Sequence, residues 1–354
     1  MSCIHQFRND YSEGAVPEVL EALIRTNAEQ TPGYGTDAHC ERAAELIRAA
    51  CGQPDASVRF LPGGTAANAV AISALTEEFE GPILAADAHP TIHETGAIEA
   101  CGRRLLATTD PFGILTPEEC TRVHTQMCAG GCHTTRPGMI YLSQTSEFGH
   151  VYTRAEFDRL CDWAHHRNLA VYVDGARMAS ALAAEAGDLD LAHLAARADA
   201  FTLGGTKAGM LFGEALVVSG RSERGRRAIG RIPYLTKRGG HMTAKGRLMG
   251  VQFEAAFTPA ADGRLPYLAH AAHANACAVA LARGLEDLGF EPYIRTMGNQ
   301  QFFWCTRPQA EQLNRACGAE ISYRNGRPVA RFVTSWATTT EHVEQLLAFV
   351  RGLR

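Results

Sequence analysis

The sequence lacks a long apolar run, an excess of basic residues and a paired Cys-x-x-Cys pattern. No stretch approaches the roughly 18 consecutive apolar residues of a membrane-spanning helix, so a membrane protein is not expected. The formal net charge of -4 argues against a nucleic-acid-binding surface, which is usually basic. The first residues, MSCIHQFRNDYSEG, are polar and charged, which predicts that no secretory signal is present.

The 11 cysteines are an odd number scattered along the chain. Without a predicted signal, a disulfide framework is not expected, and the default location is a reducing cytoplasm. One stretch, CTRVHTQMCAGGCH, offers four soft ligands in Cys120, Cys128, Cys132 and His133. A zinc-holding or regulatory binding protein built on this cluster is the alternative from another functional class. Because the paired spacing of zinc sites is absent, we expect no metal.

Strand-like apolar runs alternate with helix-like segments over most of the chain. The strand-like runs include SVRFL, GPILA, GMIYLS, LAVYV and AFTLG, and helical stretches such as TAANAVAISALTEEF and TIHETGAIEACG follow them. This alternation predicts an α/β fold with a mostly parallel sheet sandwiched by helices. Such sheets bind ligands beyond the carboxyl ends of their strands.

The pattern changes near residue 262, and 354 residues are enough for one large domain and a smaller one. We expect an N-terminal arm over 1–15, a large domain over 16–262 and a small C-terminal α/β domain over 263–354. The last of these begins with the helix-like AHAAHANACAVALARGLEDLGF and contains the strand-like QQFFWCT and ARFVTSW. Its size lies within the ordinary range of domains.

A single lysine, Lys207, follows a strand-like run in a turn of small residues, AFTLGGTKAGMLFGEALVV. A solvated lysine in a hairpin turn is the simpler interpretation. A buried lysine, however, loses proton affinity and becomes a nucleophilic amine.

Three further stretches place polar groups just after strand-like runs. In LPGGTAANAVAI, Gly64 and Thr65 begin a helix, where free N–H groups can bind phosphate. Asp174 ends LAVYVD and needs a cation such as Arg177 or several donors, and His89 follows GPILAADA. A phosphate cradle, a histidine, an aspartate and a lysine are the groups that pyridoxal phosphate requires.

The chain resembles the threonine aldolase family of fold-type I pyridoxal-phosphate enzymes, with the phenylserine aldolase-like and low-specificity L-threonine aldolase members nearest. The resemblance covers nearly the whole chain and rests on GYGTD, GGTAAN, HPTIHETGA, HTTRPG, YVDGAR, GGTKAG, KRGGH and RFVTSWATT. It implies the fold-type I architecture with pyridoxal 5′-phosphate as cofactor. It also implies a lyase that cleaves L-β-hydroxy-α-amino acids such as threonine and phenylserine to glycine and an aldehyde by retro-aldol chemistry.

Carried over by position, the resemblance assigns catalytic roles to four residues. Lys207 would form the Schiff base and Asp174 would hold the pyridine nitrogen. His89 would stack on the ring, and His133 would lie near the β-hydroxyl. The base that takes the β-hydroxyl proton would be His133, His89 or a water between them.

The resemblance also assigns binding roles. Gly64 and Thr65 would hold the phosphate, Thr206 would contact the cofactor, and Arg238 would approach the phosphate, across a subunit interface in a homodimer or homotetramer. The substrate carboxylate would be bound by Asn9, Arg177 and Arg331. Asn9 stands where the family commonly has serine, which leaves substrate preference, and the possibility of an inactive or repurposed homologue, open.

Two further hypotheses concern the reaction. The runner-up activity is that of a β-eliminating lyase or another amino-acid lyase, since the cofactor residues are shared. The segment Thr121–Arg136, with Met127, is predicted to close over the β-carbon and to favour a bulky side chain.

Overall fold

The computed structural model describes residues 5–110 and 112–353 of the chain. In these residues two sheets are formed, and their strands have the following bounds: β1 Ser57–Leu61, β2 Glu80–Leu84, β3 Leu106–Ala107, β4 Arg136–Ser143, β5 Ala170–Asp174, β6 Ala200–Gly204, β7 Glu214–Val218, β8 Pro292–Ile294, β9 Gln300–Trp304, β10 Glu320–Arg324 and β11 Arg327–Val333.

The helices of the described residues pack around these sheets. They are α1 Pro17–Thr26, α2 Ala38–Cys51, α3 Gly64–Leu75, α4 His89–Ile92, α5 Ala97–Ala100, α6 Pro117–Ala129, α7 Arg154–His165, α8 Met178–Leu182, α9 Leu191–Arg197, α10 Glu223–Arg238, α11 Arg247–Phe257, α12 Pro266–Asp287, α13 Arg307–Cys317 and α14 Thr340–Arg351. None of these helices is both long and apolar enough to cross a membrane.

The large sheet has seven strands in the order β1-β7-β6-β5-β4-β2-β3. The run from β6 to β3 is parallel, whereas β7 pairs antiparallel with both β6 and β1. Strands β2, β5, β6 and β7 are buried at every residue, which explains their continuous apolar pattern. The prediction of a mostly parallel sheet between helices is therefore confirmed.

The smaller sheet is antiparallel, in the order β10-β11-β9-β8. The N-terminal segment packs on this unit: the Phe7 N–H donates to the Cys317 carbonyl at 2.7 Å, and the Val333 N–H donates to the Phe7 carbonyl at 2.8 Å. The Phe7 ring is fully buried in the core of this unit. The predicted arm is thus tied to the small unit. The boundary at residue 262 stays a prediction.

Local signals set several helix ends. Thr153 and Glu156 form a reciprocal capping box at the start of α7. The predicted helix TAANAVAISALTEEF ends earlier, at Leu75. The predicted helix over TIHETGAIEACG is wrong as a single element, because it splits into α4 and α5 around Thr95 and Gly96, which have φ values of 53° and 74°.

Candidate active site

The carboxyl ends of the parallel strands meet at one edge of the large sheet, where a cavity of about 250 Å³ opens. Its lining brings together residues from six separate chain segments: Gly63, Gly64, Thr65, Asn68, His89, Ser143, Thr145, Glu147, Asp174, Ala176, Arg177, Thr206, Lys207 and Glu214. The sequence-predicted residues Gly64, Thr65, His89, Asp174, Arg177, Thr206 and Lys207 are all in this set.

Lys207 lies in a 3₁₀ turn, Thr206–Ala208, that connects the antiparallel strands β6 and β7. The lysine that lines the cavity therefore lies in a hairpin connection. A Cβ atom on Gly204 would lie 2.6 Å from the Ala176 carbonyl oxygen, so only glycine permits the turn to pack this closely. Burial, helped by the charge of Arg177, lowers the pKa of Lys207. The amine is thus more easily obtained in its neutral, nucleophilic form.

Asp174, the last residue of β5, is buried and fully engaged by neutral donors. Its Oδ2 accepts from the Tyr141 hydroxyl at 2.5 Å and from the Asn68 amide at 3.0 Å, and its Oδ1 accepts from the Ala176 N–H at 2.9 Å. Arg177 is not its partner, contrary to the simpler sequence interpretation. Because no cation among the described residues pairs with this carboxylate, it is available to a protonated ring nitrogen.

A buried network joins Asp174 to His89. The Asn68 amide nitrogen also donates to Glu94 at 2.7 Å, and the Tyr172 hydroxyl donates to the Asn68 oxygen at 2.9 Å. Glu94 in turn holds His89 Nδ1 at 2.8 Å. This hydrogen bond is the main reason that the pKa of His89 is raised, although burial opposes it. The bond to Glu94 also orients the ring and leaves Nε2 for the cavity.

The start of α3 has the form of an anion cradle. Helix α3 has no side-chain cap, and the first N–H groups of a helix have no partner within the helix. A Cβ atom on Gly63 or Gly64 would meet nothing within 4 Å, so these glycines border open space rather than packed protein. With Asp174 and Lys207 on the same cavity, the residues present fit pyridoxal 5′-phosphate.

Arg177 is buried in a pair with Asp10. Its Nε donates to Oδ2 at 2.8 Å and its Nη2 to Oδ1 at 3.1 Å, and Asn299 donates to the same carboxylate at 2.9 Å. Burial opposes the charge of Asp10, but the Arg177 guanidinium outweighs it and lowers the pKa of Asp10. The Nη1 group of Arg177 has no hydrogen-bond partner among the described residues, so it can donate to a bound anion.

Asn9 does not reach the cavity. Its Oδ1 accepts from the Tyr11 N–H at 3.0 Å and from the Ser12 hydroxyl at 2.9 Å, closing a local turn. The neighbouring Asp10 is the residue that points inward. The structure therefore does not support the predicted contact of Asn9 with substrate.

Arg331, on β11 of the small unit, does not line the cavity but lies close enough to Arg177 for their charges to interact. Burial, together with the charge of Arg177, lowers the pKa of Arg331. Its Nη2 pairs with Glu320, whereas its buried Nε has no partner among the described residues. Two guanidinium groups with unused donors are a fitting site for a carboxylate.

The structure does not bring His133 to the cavity of its own chain, contrary to expectation. His133 is exposed in a turn just before β4, at the amino end of the parallel strands, whereas Lys207 and Asp174 lie at their carboxyl ends. For the same reason Thr121–Arg136, most of which forms α6 and the following turn, does not close over the cavity. Adjacency to a strand in sequence does not specify which end of the strand a residue lies at.

The cysteine cluster does not assemble. Cys120 is buried in the core, while Cys128 and Cys132 are exposed. Within residues 5–110 and 112–353, no group of three or more His, Cys, Asp or Glu side chains is arranged to hold a metal ion.

Arg238 ends α10 and is exposed, outside the cavity of its own chain. The neighbouring Lys237 lies over the ring of Tyr34, with its Nζ 5.2 Å from the ring centroid. This contact joins the KRGGH and GYGTD stretches on one surface.

Sequence reasoning missed four polar residues of the site. Asn68 is a lone amide in an apolar helix, and Glu94 lies within the HPTIHETGA motif. Glu147, after β4, lines the cavity and forms no hydrogen bond or ion pair with the described residues, and its charge raises the pKa of His89. Glu214 is the first residue of β7. A polar residue where an apolar run begins or ends was the available signal.

Comparison with known proteins gives consistent matches along the chain. The profile of the beta-eliminating lyase family matches residues 6–306. The low-specificity L-threonine aldolase of Pseudomonas sp. (strain NCIMB 10558) is 30% identical over 351 residues, covering 98% of this chain and 97% of that protein. The protein of the same name from Pseudomonas aeruginosa is 30% identical over 349 residues, with the same coverage.

Solved structures agree. The threonine aldolase of Leishmania major superposes with a TM-score of 0.92 at 33% identity, over 99% of both chains. A single mutant of the Thermus thermophilus aspartate aminotransferase superposes with a TM-score of 0.73 over 99% of this chain and 92% of that one. At 16% identity the latter match shows the fold alone, and the predicted fold-type I class is confirmed.

Proposed function

Since this chain belongs to the beta-eliminating lyase family, among its threonine aldolases, we propose that it cleaves L-β-hydroxy-α-amino acids to glycine and an aldehyde. Pyridoxal 5′-phosphate is the cofactor of this family. The observation that carries the proposal is the shared cavity: a lysine of lowered pKa, a buried aspartate and an uncapped helix start all border it.

The proposed cofactor contacts follow from the cavity lining. Gly64, Thr65 and Thr206 would hold the phosphate, and Asp174 would hold the ring nitrogen in its protonated form. Lys207 would supply the neutral amine to which the aldehyde attaches. When bound, the cofactor supplies an electron sink for the bond between the α- and β-carbons.

The substrate carboxylate would lie between Arg177 of the large unit and Arg331 of the small unit. Arg177 is oriented by Asp10, which fixes the guanidinium and leaves Nη1 without a partner in the part of the chain that the structure describes. Such positioning lowers the entropy cost of orienting the substrate.

His89 would accept the β-hydroxyl proton through Nε2, directly or through a water. Its Nδ1 bond to Glu94 sets the tautomer, and its raised pKa makes it the stronger base. With His133 at the other edge of the sheet, His89 is the histidine that the cavity offers for this role.

A substrate panel tests the proposal. Purified protein loaded with cofactor is incubated with L-threonine, L-phenylserine and L-serine, and glycine, aldehyde and 2-oxo acid are measured. Glycine with stoichiometric aldehyde supports the aldolase. A 2-oxo acid with ammonia, without glycine, supports the β-elimination that the family name describes.

We also infer a homodimer or homotetramer in which Arg238 reaches the cofactor phosphate of a partner subunit. Its exposure next to exposed aromatic residues, Tyr34 and Tyr234, supports an interface there. Light scattering tests this, and a fully active monomer would refute it. A cytoplasmic location is likewise proposed, supported by the free thiols of the ten described cysteines.

A further inference from the structure

Glu214 is a buried acid at the candidate site to which none of the roles above applies. Glu214 is only 5% exposed, yet it lines the same cavity as Lys207 and Asp174. Its Oε2 is buried and has no hydrogen-bond partner among the described residues. A buried carboxyl oxygen without a partner is costly, so this group is arranged for a ligand or for a proton.

The register of the large sheet fixes where Glu214 lies. It pairs with Leu61 of β1 on one side and with Gly204 of β6 on the other. The chain after Leu61 leads into the cradle at the start of α3, and the chain after Gly204 leads into the Lys207 turn. Glu214 therefore stands between these two loops, whereas Asp174 lies beyond β6, at the end of β5.

Electrostatics at this position disfavour a carboxylate. Burial, and then the negative charge of Asp174, raise the pKa of Glu214 well above its usual range, while Lys207 opposes them. The hydroxyls of Tyr172 and Tyr267 also lie within the influence of its charge. This position thus favours the protonated, neutral form of Glu214, which is a hydrogen-bond donor.

We propose that Glu214, in its protonated form, donates a hydrogen bond to the cofactor phosphate. It would do so from its position between the cradle at the start of α3 and the turn that carries Lys207. The cradle supplies N–H donors, and a neutral acid adds a donor without repelling the phosphate. An ionised carboxylate at the same place would oppose a dianion. The inference rests on the proposed cofactor placement but not on the proposed reaction.

Binding to the cofactor-free protein tests the proposal without turnover. Affinities for pyridoxal 5′-phosphate, pyridoxal and inorganic phosphate are measured for wild type, Glu214→Gln and Glu214→Ala. Glu214→Ala is expected to lower the affinity for pyridoxal 5′-phosphate roughly 10- to 100-fold, which is the effect of one hydrogen bond to a charged group. Its affinity for pyridoxal is expected to stay unchanged. Glu214→Gln keeps a neutral donor and is expected to bind like wild type at neutral pH.

The pH dependence gives a second, independent readout. As pH rises, wild type ionises at Glu214 and loses affinity for the phosphate compounds relative to Glu214→Gln, which cannot ionise. If Glu214→Ala fails to fold, the ratio of the wild-type affinity to the Glu214→Gln affinity, measured over a range of pH, decides by itself. The proposal is overturned if the ratio is constant with pH, or if Glu214→Ala weakens pyridoxal and pyridoxal 5′-phosphate equally. A protein that binds the cofactor in this way but releases no glycine would refute only the proposed reaction.

Discussion

The two edges of the large sheet are both rich in charged residues, but they use them differently. At the amino edge, Glu80 pairs with Arg224 at 2.6 Å, and Asp199 accepts hydrogen bonds from the Val171 N–H at 2.9 Å and the Ser222 hydroxyl at 2.8 Å. At the carboxyl edge, buried oxygens of Glu94 and Glu214 have no partner among the described residues.

This difference separates polar groups that stabilise the fold from polar groups that can bind a ligand. A fold satisfies its buried polar groups wherever only stability is at stake. Groups left with unused donors or acceptors around a cavity retain their capacity for a ligand, at a cost to stability. Asp174 and Asp199 are both buried, 5% and 8% exposed, and both are hydrogen-bonded. Asp199 also pairs with His165 Nε2 at 3.1 Å, whereas Asp174 has only neutral donors among the described residues.

The largest expected effect is that of Lys207→Ala. Removing the amine eliminates the covalent attachment of the cofactor, so kcat/KM for glycine release is expected to fall by about a thousandfold or more. Borohydride reduction and mass spectrometry of the peptide measure the attachment directly. The chain has only three lysines, and the exposed Lys245→Ala is the matched control. Retained attachment in Lys207→Ala would show that another amine is used.

Asp174→Asn and Asp199→Asn form a matched pair across the sheet. Asp174→Asn is expected to reduce turnover roughly 100- to 1,000-fold, because a neutral amide cannot stabilise a protonated ring nitrogen. Asp199→Asn is expected to leave turnover unchanged and to lower the free energy of unfolding by about 1–3 kcal/mol. Equal losses of turnover in both variants would contradict the difference in function between the two edges of the sheet.

The Asp199→Asn penalty depends on pH. Burial opposes the charge of Asp199, but the hydrogen bonds from His165 and Val171 prevail and lower its pKa. The stabilisation is therefore complete above the unfolded pKa, about 3.9 for an aspartate, and is lost as pH falls through the lower folded value. Chemical denaturation over a pH series measures this.

Glu94→Gln is expected to produce a smaller effect, seen mainly in the pH profile. Its carboxylate is the principal cause of the raised pKa of His89, so a neutral amide moves that pKa down toward its ordinary value. If His89 must be unprotonated, the acid limb of kcat/KM moves to lower pH. Histidine NMR titration checks the pKa itself, with the exposed His166 as internal reference. An unmoved limb alongside a moved His89 titration would assign the base elsewhere, for example to Glu147.

The smallest expected effect is that of His133→Ala. Because His133 is exposed at the amino edge, its removal is expected to change kcat/KM by less than about twofold and stability by less than about 0.5 kcal/mol. A substantial loss of activity would show that a partner subunit brings His133 to a site. Light scattering of the His133→Ala variant then shows whether the loss of activity comes with a loss of the assembly.

Much of the fold was predictable because its signals are local. The fully buried strands β5 and β6 read as continuous apolar runs, and the alternation with helices gave the parallel sheet. Lys207, Asp174 and His89 were found because each directly follows or ends such a run. The split of α4 and α5 differs from the prediction because Thr95 and Gly96 adopt positive φ values, which interrupt a helix.

The sequence by itself determined the class of sheet, the turn that carries Lys207 and the residue types that fit a phosphate, a ring nitrogen and an aldehyde. Only the tertiary structure decided which polar groups share a cavity. It placed Asp10, not Asn9, on Arg177, gave Asp174 its donors from Asn68 and Tyr141, and put His133 at the wrong edge. The physical reason is that a strand has two ends, and which end faces a ligand is set by pairing between distant segments rather than by local spacing.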